Sequence, residues 1–97
     1  KKPKGVQMKK YIIERNIPGV GDSNADQLKG AAATSNAALA KLSPDVQWLH
    51  SYIAGDSTFC VYLAKDEAAI RKHAEISGFP ANRIIEVKTV IDPSAAG

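Results

Sequence analysis

Two periods alternate along the chain between Lys9 and Pro93. Residues 9–15, 46–53, 58–64 and 83–91 are rich in β-branched and aromatic side chains, alternate in places with polar ones, and read as strands. Between the first two runs, Leu28, Ala31, Ala32, Ala38, Leu39 and Leu42 recur near the 3.6-residue period, as do Ala69, Ile70, His73, Ala74 and Ser77 between the last two. Both stretches predict helices. Ser23 with Asp26 three residues on is a capping-box pattern that predicts the start of the first helix, and "SPD" (43–45) predicts its end. Asp66 is placed to cap the second, Glu67 suits its positive first turn, and Gly78 with Pro80 stops it. Pro18, Gly19 and Gly21 mark a loop; the segment lacks the lysine and spacing of a phosphate cradle and reads as a turn.

The resulting order is β-α-β-β-α-β, the split βαβ or ferredoxin-like pattern. It predicts an α+β sandwich: one four-stranded antiparallel sheet, two helices on one face, and the other face open. Ninety-seven residues hold one domain, and an apolar share of 44% is that of a globular chain. The expected bounds are a basic extension or remnant over 1–8, the domain over 9–93 and a short tail over 94–97. No apolar run is long enough to span a bilayer. The single cysteine excludes an internal disulfide framework and fits a reducing, cytoplasmic setting, although a signal removed earlier would leave no trace. The net charge of +3 is concentrated at the start, where five lysines fall within ten residues. The remaining eight Lys and Arg face ten Asp and Glu, so the body is net negative and carries no basic stripe for nucleic acid.

Candidate chemistry depends on which side chains share a sheet face. Sorting aliphatic residues onto the helix-covered face places Glu14, Trp48, His50, Tyr52, Cys60, Tyr62 and Glu86 together on the open one. Imidazole, thiolate and carboxylate are a transition-metal ligand set, so His50, Cys60, Glu14 and Glu86 are candidate metal ligands, with Trp48, Tyr52 and Tyr62 as pocket or interface residues. The hairpin turn argues otherwise. A two-residue Gly55–Asp56 turn of type II′ pairs His50 with Val61 and sends Cys60 to the other face; a three-residue loop or a bulge restores the shared face. Plainer readings stand beside the metal. A lone strand cysteine is usually a small buried hydrophobe, His73 on its helix stripe can simply hydrogen-bond there, and HExxH, CxxC and His-x-His are all missing. No third group or oxyanion site accompanies Cys and His as cysteine catalysis would need.

The phrases "QWLHSY" (47–52), "FCVYLA" (59–64), "HAEISGFPANRI" (73–84) and "VIDP" (90–93) resemble a family of small bacterial proteins of unknown function that includes a nickel-responsive, nickel-binding type. The resemblance extends over nearly the whole chain from Lys9. It implies a ferredoxin-like homodimer, no established catalytic activity, and nickel as the metal to consider. His73 joins the candidate ligands because it falls inside the most specific of these phrases.

Three functions follow. The first is a homodimer that binds a divalent transition metal, nickel for preference, to sequester or sense it. The second is a small-molecule pocket of the kind small monooxygenases and isomerases carry, by fold-level analogy; a buried cavity lined by Trp48 and Tyr52 would favour it. The third is a non-catalytic assembly module whose open-face aromatics form the interface.

Overall fold

The computed structural model describes residues 7–97; the rest of the expected N-terminal extension, residues 1–6, lies outside the described residues. Strand β1 spans Lys9–Asn16, helix α1 Ala25–Leu42, β2 Val46–Ile53, β3 Ser57–Ala64, α2 Glu67–Ser77 and β4 Arg83–Glu86. Short 3₁₀ turns occupy Val20–Asp22 and Pro93–Ala96. The sheet order is β2-β3-β1-β4 with every neighbour antiparallel. This is the expected ferredoxin-like α+β fold.

Helix α1 starts one turn position later than Ser23 predicts. Asn24 is the cap: its side chain accepts from the Gln27 N–H at 2.8 Å, and Gln27 Oε1 accepts from the Asn24 N–H at 2.9 Å. Glutamine at the third helical position is long enough to reach back, which Asp26 is not. Asp66 caps α2 as expected, accepting from Ala69 N–H at 2.9 Å, and Gly78 ends it at φ 81°, the left-handed conformation that favours glycine.

The last strand is shorter than the run 83–91 predicts. Its neighbour β1 begins at Lys9, so pairing stops after Val87 donates to the Lys10 carbonyl at 2.8 Å. Val90 and Ile91, without a strand beside them, are 68% and 78% exposed.

The β2–β3 turn has two central residues, Gly55 and Asp56, with Ala54 N–H donating to Ser57 O at 2.9 Å. Gly55 lies outside the positive-φ region, so this is not the type II′ turn that a leading glycine predicts. The register still follows the two-residue count. Ser51 faces Cys60 and His50 faces Val61; then Leu49 is an extra residue, a bulge, and Trp48 faces Tyr62. The bulge turns Trp48 to the side opposite His50.

The faces therefore differ from the aliphatic sorting. Tyr11, Ile13 and Arg15 of β1, Thr58, Cys60, Tyr62 and Ala64 of β3, and Val46 of β2 are all buried on the helix-covered side. There they pack with Ala69 and Ile70 of α2 and, at the margin, Leu39, Leu42, Trp48 and Ile84. Phe59, Val61 and Leu63, expected inside, lie on the open face opposite Glu14, Ile12 and Lys10.

Candidate functional site

The covered face is not closed along its whole length. Near its C-terminal end α1 packs down through Leu39 and Leu42, with Ala38 buried beside them in sequence. Its N-terminal half leaves a cavity of about 270 Å³ against the sheet, lined by Leu28, Ala31 and Ala32 of α1 on one side and Trp48, Thr58 and Cys60 on the other. Leu28, expected to pack in the core, is 36% exposed beside it.

The mouth is built by the loop after β1. Ile17 N–H donates to Asp56 O at 2.9 Å, Gly21 N–H to Gly55 O at 2.8 Å, and Gly19 N–H to Asp56 Oδ1 at 2.8 Å. These bonds pin the loop to the β2–β3 turn, and Ile17, Val20 and Ile53 form the apolar rim. Gly21 is required by contact: a Cβ there would meet Ala54 O at 2.8 Å and Gly55 Cα at 3.0 Å. The glycine phrase is thus a clamp on the hairpin.

At the inner end sits a chain of polar groups. Arg15, 2% exposed, donates to Pro80 O at 2.7 Å and to Tyr62 Oη at 3.5 Å. Its guanidinium lies 5.6 Å from the Phe79 ring centroid and 6.0 Å from that of Tyr62, cation–π distances. Tyr62 Oη is 3.4 Å from Ser35 Oγ, which is 3.2 Å from His73 Nε2. The Tyr62 and His73 rings pack at 5.1 Å. Burial raises the Tyr62 pKa above 10 against the opposing pull of Ser35 and Arg15, so its hydroxyl keeps its proton at neutral pH. Burial, then the Arg15 charge, lowers His73 to about 4, partly opposed by Ser35. His73 is therefore neutral at pH 7.

The five candidate metal ligands are not brought together. His50 is exposed on the open face, its ring 5.1 Å from that of Tyr52. Cys60 is buried on the opposite side, its sulfur 3.5 Å from Thr58 Oγ1, as the small-hydrophobe reading of a lone cysteine has it. Glu14, on the open face, pairs with Arg83 at 3.3 Å. Glu86 lies opposite Tyr11, on the helix side at the sheet edge, and pairs with Lys88 at 3.9 Å. His73 is under the sheet on α2. His50 and Cys60 sharing one face, and Trp48, Tyr62 and Glu86 with them, is thus corrected by the register and the bulge. Among the described residues no three His, Cys, Asp or Glu side chains are grouped so as to hold a metal ion. Trp48 lines the cavity, its indole N–H bonded to Ser51 Oγ at 2.9 Å, whereas Tyr52, 61% exposed, does not.

Sequence reasoning missed Arg15 and Ser35. A signal existed for each. Arg15 continues the Tyr11–Ile13 alternation by one more step, and Ser35 falls on the α1 stripe between Ala31 and Ala38.

This architecture, a ferredoxin-like sandwich with a cavity beneath its first helix, defines the structural class. Within it the chain belongs to the family described as nickel responsive protein, SCO4226-like, whose model matches residues 11–87. Among solved structures it is similar to SCO4226 from Streptomyces coelicolor A3(2), at 19% identity and a TM-score of 0.71 over 84% of this chain and 99% of that one. A second similar structure is the NE2512 protein of unknown function from Nitrosomonas europaea, at 22% identity and a TM-score of 0.49 over 92% and 98% of the two chains. No curated protein matches. No helix among the described residues is long and apolar enough to cross a membrane.

Proposed function

We propose that this protein binds a small organic molecule in the cavity between α1 and the sheet. One observation carries the reading: a cavity of about 270 Å³, apolar over most of its lining, in which Arg15, Ser35, Thr58, Cys60 and Tyr62 converge. An apolar pocket with a few convergent polar groups is what small-molecule sites have in common. The reading assigns no reaction. Its test is amide chemical-shift mapping with indole and phenol as probes, beside Ala32→Leu, which fills the cavity from the helix side. Saturable shifts confined to cavity-lining residues and lost in the variant support it. Shifts scattered over the surface, or unchanged by Ala32→Leu, end it.

Family membership favours a second reading, in which the chain binds nickel as a sequestering or sensing module. Among the described residues the donors of one chain are not grouped as a site, and the Arg15 charge in the cavity opposes a dication at Cys60. In this reading the protein is a homodimer packed through its open faces, and His50 of each copy supplies a nitrogen. Calorimetric titration with Ni²⁺ separates the placements. Stoichiometric binding lost in His50→Ala and kept in Cys60→Ser supports this one. Binding kept in His50→Ala, or lost in Cys60→Ser, rejects it.

A further inference from the structure

Arg15 is the anomaly of this fold. A side chain 2% exposed carries a full charge, and among the described residues it joins no ion pair. Arginines buried to this degree are almost always paired, because an isolated charge taken out of water is costly. Its observed partners are neutral: a carbonyl, a hydroxyl and two ring faces. It also lines the cavity. We propose that the cavity takes a small amphipathic monocarboxylate, its carboxylate facing Arg15 and Tyr62 and its apolar body lying between α1 and the strand hairpin. This rests on the cavity being the binding site and adds the class of ligand.

The polar chain behind Arg15 fits an acceptor in that place. Tyr62, Ser35 and neutral His73 carry three hydrogens between them, and the Tyr62–Ser35 and Ser35–His73 contacts use two. One hydrogen is left over. His73 Nδ1 is buried with no partner among the described residues. A hydrogen placed there would be an orphaned buried donor, the rarer kind of unpaired group. Running the chain the other way, from His73 Nε2–H to Ser35 and from Ser35 O–H to Tyr62, leaves the Tyr62 hydrogen free. Tyr62 then offers O–H beside the guanidinium, two donors for one carboxylate.

Charge and size narrow the class. One arginine, with no lysine or second arginine among the described residues lining the cavity, matches one negative charge, so a phosphate dianion would remain half compensated. The volume, about 270 Å³, equals roughly nine waters at about 30 Å³ each. A benzoate or a short branched carboxylate is smaller than this and fits within it. Ile17, Val20, Leu28 and Ile53 would surround its body.

The experiment compares sodium benzoate with benzamide, its neutral isostere, on the full chain by chemical-shift mapping and Trp48 fluorescence. The expected result is saturable benzoate binding at the cavity, at least tenfold tighter than benzamide, with that preference abolished in Arg15→Met. Arg15 also packs against Phe79 and Pro80, so the variant is first checked by thermal melting. If it does not fold, the two wild-type titrations and Tyr62→Phe, expected to weaken benzoate more than benzamide, decide alone. Equal binding of both compounds overturns the carboxylate and leaves the cavity reading standing. No perturbation of cavity residues by either overturns the carboxylate, and the same result with indole and phenol overturns the cavity reading as well.

Discussion

His73 shows how a single side chain can lend the fold a pH dependence. It is 1% exposed, and its folded pKa of about 4 lies below the ordinary 6.5. Between those values the unfolded chain binds a proton that the folded chain refuses, so stability rises with pH there. The contribution is complete above pH 6.5 and is lost as pH falls through about 4, at about 1.4 kcal/mol per pH unit. Urea melts at pH 4.5, 5.5 and 7 should show this slope in the wild type and a shallower one in His73→Phe. Parallel slopes would mean that the imidazole is not the titrating group. At the same scale lies the reason the candidate site was only half legible. Aliphatic side chains suit a buried face, and that rule assigns Val61 and Phe59 inward and Cys60 and Tyr62 outward. Here the covered face surrounds a cavity, so it is built from amphipathic and polar groups such as Arg15, Thr58, Cys60 and Tyr62, and the rule inverts.

The elements themselves were legible because capping chemistry and periodicity are local. Asp66, Gly78 and the strand runs needed no knowledge of the tertiary fold. Asp66→Ala should cost about 1 kcal/mol in chemical denaturation, the usual value of a lost N-cap bond. Register was harder, because one bulged residue at Leu49 redirects Trp48 and leaves no mark in the alternation. The two-residue turn did predict the His50–Val61 pairing correctly, since connection length fixes register near the turn whatever the turn type. The truncation of β4 was invisible for a different reason: it is set by where β1 begins, not by residues 87–91. The glycine loop shows the same dependence on distant partners. Gly21→Ala should push the loop off the hairpin, lowering the melting temperature and raising amide exchange at Ile17 and Gly21, whose N–H groups hold the clamp. If exchange there stays slow, the loop has an alternative seat and the cavity rim does not depend on this contact.

Across the whole molecule the sheet has two unlike faces, and the two functional readings belong to different ones. The cavity lies on the covered side with Trp48; the surface proposed for a second copy is the open side, where Tyr52 is 61% and Ile85 41% exposed. Sequence alternation had placed Trp48 with Tyr52, as pocket or interface residues of one face. The bulge separates them, and that separation can be measured. Tyr52→Glu puts a charge in the centre of the open face, where burial against another copy would leave it unpaired and costly. It should shift sedimentation from dimer to monomer while leaving cavity binding intact. Trp48→Ala removes a wall of the cavity and part of the covered core. It should lower the melting temperature and alter probe binding while leaving the sedimentation coefficient unchanged. Dissociation by Trp48→Ala but not by Tyr52→Glu would place the interface on the helix side, and a wild type that sediments as a monomer at all concentrations would remove the dimer altogether. The Arg15 cavity is judged separately, by carboxylate binding.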